Sequence, residues 1–368
     1  MAKNIRDIKE EIRNLIVVRD DAYLKEEDVE EQILETVLDK TSLSYMHLRE
    51  RYEVISEIRD SIIGLDILEP LMNDREVDEI MVMGHNKIYT ERHGRLVKET
   101  SSFYDEERLM HLIYKVANGM DRQVNQSNPI ADLRLPNGAR VNVVLPPISM
   151  DGPVVTIRKF SPNPFTLQKL IELGSVTEEQ ACLLRQLVYE RKNIFVSGGT
   201  GTGKTSLLNA LSREIPGDQR VVTIEDSAEL MFTNVDNLVR LECRTANVEG
   251  QGEVSMDQLI RTALRLRPDR IIVGEVRGAE VVSMLQAMNT GHLGSMSTGH
   301  GNSPEDMLRR LETMFLMGME IPLQAVRRQI GSAIDYIVHL ERTREYGRKV
   351  TGICKVIEDN ENKVVRVC

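Results

Sequence analysis

At 368 residues, 41% hydrophobic and 28% charged, the chain has the composition of folded domains and the length for two of them, which excludes disorder as its default state. A formal net charge of −10 excludes a protein whose main task is to coat nucleic acid, because phosphate binding needs a basic footprint. No window approaches the roughly 18 uncharged apolar residues that span a bilayer, and "MAKNIRDIKEEIRNLIVVRDDAYLKEEDVEEQ" lacks a secretory signal's apolar core and cleavage site; a cytoplasmic protein with only peripheral membrane association is expected.

In chain order, apolar residues from Asn4 to Ile63 recur at three- and four-residue spacing on charged segments, as Val29, Ile33, Leu34, Val37 and Leu38 do. That period predicts a small helical unit over residues 1–63. Residues 64–160 alternate short strand signals with one helix. They run "EIMVMG", a hairpin "KIYTERHGRLVKE" turning at His93-Gly94, the helix "DEERLMHLIYKVAN", "IADLRLPNGARVNVVLPP" and "PVVTIRKF". Asn137-Gly138 marks a second hairpin, since both residues tolerate positive φ. A compact α+β domain follows from this pattern. Residues 161–174, "SPNPFTLQKLIELG", read as a linker with a short helix, because their prolines cannot continue a strand ladder.

From residue 175 to 368 buried-type strands "NIFVSG", "VVTIED", "LVRLE" and "RIIVGE" alternate with helical stretches, which predicts an α/β fold with a largely parallel sheet. The C-terminal "DYIVHLERTREYGRKVTGICKVIEDNENKVVRV" reads as edge strands in a meander. The four cysteines, Cys182, Cys243, Cys354 and Cys368, form no C-x-x-C pair; free thiols, mostly buried, are expected rather than a disulfide framework or zinc site.

The strand "NIFVSG" runs into Gly198, Gly199, Thr200, Gly201, Thr202, Gly203, Lys204, Thr205 and Ser206, and then into a helical pattern. This fits G-x-x-x-x-G-K-[ST] in its confirming strand-to-helix context. The glycines let backbone N–H groups fold around an anion, and the helix start adds a positive dipole end. Lys204 is expected to reach the β- and γ-phosphates, and Thr205 to place its hydroxyl on Mg2+.

Such a site needs an acid for the attacking water and polar groups that sense the γ-phosphate. Glu275 ends the strand of "RIIVGEVRG", beside the phosphate loop, where ligands bind in parallel sheets. An aspartate usually ends that strand to hold Mg2+ through water. Here Gly274 stands in its place, so Glu275 must cover part of both roles or draw help from Glu225, Asp226 and Glu229 in "TIEDSAEL". In "NTGHLGSMSTGHGNSPEDMLRRLE", His300 follows a small-residue strand and is a candidate γ-phosphate or water ligand, His292 a second; Ser303-Pro304-Glu305 starts a helix. The basic "LIRTALRLRPDR" could suggest nucleic acid. With no tryptophan and 4% aromatics in an acidic chain, it offers no stacking platform.

In this order the phosphate loop, "TIEDSAEL", "IIVGEVRG" and "GHLGSMSTGHGN" resemble the Walker A, Asp box, Walker B and His box of the secretion ATPase superfamily that drives type II secretion, type IV pili and type IV secretion. "ADLRLPNGARVNVVLPP", "VTIRKF", "VEGQGEVSMDQLIRTALRLRPDRIIVGEVRG" and "NTGHLGSMSTGHGNSPEDMLRRLETM" are similar to runs of the CpaF-type ATPases of Tad (Flp) pilus systems. The resemblance covers Gly64 to Val367. Leu293 stands where that family often has an acid, and Gly301 replaces the alanine of its usual "HAN". The resemblance implies a RecA-like P-loop NTPase domain with a smaller α+β (PAS-like) N-terminal domain, ATP and Mg2+ as cofactors, and a hexameric ring. It also implies an inner-membrane platform protein as partner, while the acidic, aromatic-poor composition leads to no nucleic-acid partner being expected. Arg134, Arg140 and Arg158 match N-terminal-domain positions that approach the phosphates in related motors, where fixed guanidinium groups neutralise developing charge. Arg244, Arg261, Arg265, Arg267 and Arg277 are further candidates at subunit contacts. Type IV secretion, an archaeal-type filament, a RecA-like nucleic-acid translocase and a scaffold that barely hydrolyses are the alternatives.

Overall fold

The computed structural model describes residues 48–92, 94–120, 122–159, 165–244, 246, 251–343, 347–357 and 363–368. The helices expected over residues 4–47 lie outside the described residues, as do residues 161–164. The chain divides into two compact units, residues 1–161 and 162–368.

In the first unit α1 (Leu48–Ile62) and a short 3-10 turn lead through α2 (Glu69–Asn73) into β1 (Val77–Met83), β2 (Lys87–Arg92) and β3 (Arg95–Lys98). Then come α3 (Glu106–Asn118), β4 (Ile130–Arg134), β5 (Arg140–Val144) and β6 (Val154–Arg158). The strands form one antiparallel sheet in the order β3-β2-β1-β6-β5-β4. Alternation does what period two requires: Val141 and Val143 of β5 and Val155 and Ile157 of β6 face the core, with their neighbours turned away. The helix α3 starts where Asp105 accepts the Arg108 N–H and buries Leu109, Leu112, Ile113 and Ala117, a three-and-four spacing on one face. Between β4 and β5 the Asn137 carboxamide accepts the Ala139 N–H at 3.0 Å, and Gly138 takes φ +87°.

The second unit opens with α4 (Leu167–Glu172) and α5 (Glu178–Tyr189), followed by β7 (Ile194–Gly198), α6 (Lys204–Ser212), β8 (Val221–Glu225), β9 (Leu238–Glu242) and α7 (Met256–Ala263). It continues with β10 (Arg270–Val273), α8 (Val281–Asn289), β11 (Met296–Gly299), α9 (Pro304–Gly318) and α10 (Leu323–Ala333), and ends in β12 (Tyr336–Thr343), β13 (Gly347–Ile357) and β14 (Lys363–Arg366). The sheet order is β14-β13-β12-β7-β11-β10-β8-β9, parallel from β12 to β9 and antiparallel across β12, β13 and β14.

Every residue of β7, β8, β10 and β11 is buried, because helices cover both faces of the sheet. Phe195, Ile224 and Val273 pack with α7, α8, α9 and α10 on one side. Val196, Ile272 and Met296 pack with α4, α5 and α6 on the other, where α4 buries Leu167 and Leu170. The fold is α/β.

Two expectations are corrected. The meander supplies the sheet edge only at β14; β12 lies inside, parallel to β7, with Ile337 to Leu340 buried on both faces. Of the thiols only Cys354 is buried, while Cys182 is exposed on a solvent-facing position of α5 and Cys243 and Cys368 are half-buried.

Candidate active site

The loop from Gly198 to Gly203 joins the buried end of β7 to the first turn of α6. Its shape depends on glycine at two points. A Cβ on Gly198 would stand 2.5 Å from the Leu340 carbonyl oxygen, and Gly203 holds φ +95°, the left-handed region that L side chains avoid. No side chain caps α6, so the N–H groups of its first turn stay available to an anion beside the helix's positive end. Thr205 and Ser206 sit half-buried on that turn; Thr202 is buried and donates its hydroxyl to the Gly199 carbonyl at 3.0 Å, while Gly199 and Thr200 are exposed.

Lys204 is buried and folds back over its own loop, donating to the carbonyls of Gly198 at 3.1 Å and Gly199 at 3.0 Å. Burial lowers its pKa, and the charge of Glu275 opposes that shift. The ammonium also stands 3.3 Å from His300 Nδ1. Burial, then Lys204, lowers the His300 pKa, which makes it a neutral imidazole at pH 7. With Nδ1 accepting from Lys204, the ring proton belongs on Nε2, and Nε2 lies 2.6 Å from Glu275 Oε1. The carboxylate is off the axis of the ring N–H, and Oε1 is buried without an aligned hydrogen bond. The other oxygen, Oε2, accepts from Arg277 Nη2 at 2.7 Å and Nε at 3.2 Å; that hydrogen bond raises the Arg277 pKa. A continuous polar row thus runs Lys204, His300, Glu275, Arg277 across the carboxyl ends of β7, β11 and β10.

Glu225, at the end of β8, is a different kind of acid. Its side chain is 3% exposed. Oε1 accepts the N–H groups of Glu229 at 2.8 Å and Leu230 at 2.9 Å, whereas Oε2 is buried with no partner. Burial pushes its pKa up to about 7, against the pull of those two N–H groups. No helix follows to be capped; residues 226–230 are loop. Asp226 is exposed, its carboxylate 3.9 Å from Arg277 Nη1. The Glu229 carbonyl accepts from Asn209 of α6 at 3.4 Å, which ties this loop to the phosphate-loop helix.

Among the expected residues, His292 is not brought to this cluster. It precedes β11, and β11 runs parallel to β7 with Gly299 opposite Ser197, so the length of the strand separates His292 from the phosphate loop. Its ring nitrogen lies 3.1 Å from the Ala287 carbonyl at the end of α8, a helix-terminus contact. Arg134, Arg140 and Arg158 belong to the first unit. There Arg134 stands opposite Arg140 and Arg140 opposite Arg158, which makes one arginine row on the sheet face turned away from the core. Arg261 pairs with Asp257 on its own helix at 3.1 Å. His339 went unnoticed in the sequence. Its Nδ1 meets Ser197 Oγ at 2.7 Å in full burial, directly before the phosphate loop, and a lone histidine in the apolar run "YIVHL" carries no spacing signal.

A glycine cradle, an uncapped helix start, a lysine over the loop and acids at neighbouring strand ends define a P-loop nucleoside triphosphatase. Residues 63–364 match the Type II/IV secretion system protein family, and the chain belongs to that family, as an ATP-hydrolysing enzyme. It is similar to the putative conjugal transfer protein Rv3659c of Mycobacterium tuberculosis (35% identity over 324 residues, 86% of this chain and 91% of the relative). It is also similar to the type IV secretion system protein VirB11 of Brucella suis (33% over 303 residues, 75% of this chain and 84% of the relative). Among solved structures, the ATPase DotB of Legionella pneumophila shares the fold, with a TM-score of 0.56, 22% identity and coverage of 79% and 78% of the two chains.

Proposed function

We propose that the chain is the ATP-driven motor of a Tad-type pilus assembly machine, working as a homo-oligomeric, six-membered ring on an inner-membrane platform protein at the cytoplasmic face. The observation that carries the motor reading is the polar row Lys204–His300–Glu275–Arg277 behind the phosphate loop. Each member stands within 3.3 Å of the next and can be re-partnered by a γ-phosphate. The Lys204 ammonium exchanges the Gly198 and Gly199 carbonyls for β- and γ-phosphate oxygens, and His300 reports the change to Glu275. Glu275, fixed by Arg277, orients the attacking water. Glu225, with one orphaned oxygen and a pKa of about 7, is able to take up a proton near neutrality.

The residues fit Mg2+ as a cofactor. Thr205, half-buried on the uncapped first turn of α6, and Glu275 at the end of β10 are the residues that would hold an ion arriving with the nucleotide phosphates, Glu275 through water. When bound, the ion neutralises charge between the β- and γ-phosphates. The arginine row Arg134, Arg140 and Arg158 is the candidate source of further positive charge at the nucleotide, and Asp226 and Glu229 are candidates for the loop that senses it.

Steady-state ATPase activity tests this directly. Lys204→Ala and Glu275→Gln are expected to lose on the order of 100-fold or more in turnover, the scale of a positioned acid–base or electrostatic group, with particle mass rising to a ring when nucleotide is added to the wild type. Turnover that survives Glu275→Gln would reject the role given to that carboxylate.

The Tad assignment is supported by the runs from "ADLRLPNGARVNVVLPP" to "NTGHLGSMSTGHGNSPEDMLRRLETM". A type IV secretion role is the second reading, favoured by the identity to VirB11 and to a putative conjugal transfer protein. Deleting the gene separates them: loss of surface pili, restored by wild type but not by Glu275→Gln, supports the first, and loss of substrate transfer with pili intact supports the second. Among the described residues no helix is long and apolar enough to cross a membrane.

A further inference from the structure

The hairpin formed by β12 and β13 reaches the same end of the sheet as the phosphate loop. Leu340 of β12 stands opposite Gly198 of β7, so the residues that follow Leu340 carry the hairpin past the first glycine of the loop. There the register sets Arg342 directly opposite Arg348, and opposed residues on neighbouring strands project from the same face. The Arg342 guanidinium nitrogen Nη1 lies 3.7 Å from the point a Cβ on Gly201 would occupy. Arg348 Cδ lies 3.6 Å from the corresponding point on Gly203. Two arginine side chains therefore flank the two glycines whose φ values, +70° and +95°, set the curve of the loop.

This pairing is unfavourable by itself. Like charges directly opposite on adjacent strands repel, and a carboxylate between them is the usual relief. Glu341 does not provide it, because it lies on the other face of β12, with Oε1 3.6 Å from His339 Nε2. Neither guanidinium has an ion pair or hydrogen bond to a carboxylate among the described residues, and both side chains are exposed. The cleft between Arg348 and the first turn of α6, lined by Gly203, Ser206, Leu207, Leu340 and Val350, opens to solvent. Two arginines held beside a phosphate cradle, with no carboxylate partner among the described residues, are suited to an anion.

We infer that Arg342 and Arg348 are phosphate ligands supplied by the chain's own C-terminal hairpin, closing on the polyphosphate tail of the nucleotide held by the P-loop. The inference rests on the nucleotide reading above. Arginine suits the task because its planar fork stays charged and donates two parallel hydrogen bonds to phosphate oxygens.

The test is titration of the fluorescent nucleotides mant-ADP and mant-AMP into the full-length chain, comparing wild type, Arg342→Gln, Arg348→Gln, the double variant, Arg342→Lys/Arg348→Lys and Lys204→Ala, with melting followed in parallel without nucleotide. Each single glutamine variant is expected to weaken mant-ADP about 5- to 20-fold, the lower end of what a charge-assisted hydrogen bond provides at an exposed site. The double variant should lose more than either single, the lysine pair should recover part of the loss, and mant-AMP should change less than mant-ADP. The melting temperature without nucleotide should hold or rise, since a repulsive pair is removed. A double variant that binds mant-ADP within twofold of wild type while Lys204→Ala abolishes binding overturns this inference and leaves the P-loop reading standing. Unchanged binding in Lys204→Ala overturns both. A lower melting temperature with unaltered affinity would assign the arginines to hairpin stability and also reject the inference.

Discussion

Glu225→Gln separates what the buried carboxyl does for stability from what it does for chemistry. An unfolded chain releases the Glu225 proton near its ordinary value of 4.5, whereas the folded chain keeps it until about 7. Between those values the native state binds more protons than the unfolded one, so this group's contribution falls as pH rises through the window and is flat on either side. The difference corresponds to about 3 kcal/mol. Gln keeps the Oε1 acceptor for the N–H groups of Glu229 and Leu230 and removes the charge. Its amide brings a buried N–H to the orphaned side, so the net gain at pH 8 should be nearer 2 kcal/mol. That is about 4–8 °C in melting temperature for a unit of this size. Thermal melts of both proteins from pH 4.5 to 8.5 at constant ionic strength measure it. The variant should start about 1 kcal/mol below wild type near pH 4.5, where the cost of the buried amide N–H dominates, and gain steadily up to about pH 8. The lowered pKa of His300 has the opposite slope in both proteins and cancels in the difference. A difference independent of pH would show that Glu225 is ionised throughout and that the burial argument fails.

Gly274→Ala should destabilise the second unit by about 1–3 kcal/mol, because the added Cβ would stand 2.9 Å from Glu225 Cγ while that side chain is pinned by two N–H groups; the double variant with Glu225→Ala should recover most of the loss in urea denaturation, and additive losses would reject the contact. In the first unit Asp66→Asn should cost about 2 kcal/mol in the same assay, since buried Asp66 accepts Arg108 Nε at 2.6 Å and Nη2 at 2.8 Å, and a loss under about 0.5 kcal/mol would remove that pair from the account. Asn is chosen because it tolerates the φ of +57° at this position.

The legible parts of the molecule were those with a local period or a backbone requirement. The fully buried strands β7, β8 and β10 announce themselves as unbroken apolar runs, and Asn137-Gly138 and Gly198 to Gly203 as positions only certain residues can occupy. What stayed hidden depends on register between distant segments. His292 and His300 sit in one run of small residues, and only the direction of β11 shows that they lie at opposite ends of it. "YIVHL" reads as an edge strand until its pairing with β7 makes it central, which in turn sets His339 against Ser197 and brings two hairpin arginines to the phosphate loop. The raised pKa of Glu225 is likewise a product of burial, with Gly274 from a distant part of the chain packed against its side chain, and no local pattern around "TIEDSAEL" encodes it.

Gly274 shows how a departure in one motif is answered in another. Where an aspartate usually ends the strand, the space its side chain would take is filled by Glu225, whose Cγ and Oε1 lie 2.9 Å and 3.6 Å from the missing Cβ. The two side chains exclude each other, so the acid at this point of the sheet arrives from β8 instead of β10. That substitution changes the chemistry available. A carboxyl delivered from β8 is gripped by its own loop and sealed from water, which raises its proton affinity to near neutrality. Glu275 meanwhile projects beyond the strand and is held by Arg277. A carboxyl with a pKa of about 7 thereby stands at the end of β8, beside a second carboxyl at the end of β10 that is held by an arginine. The glycine is what makes room for that arrangement.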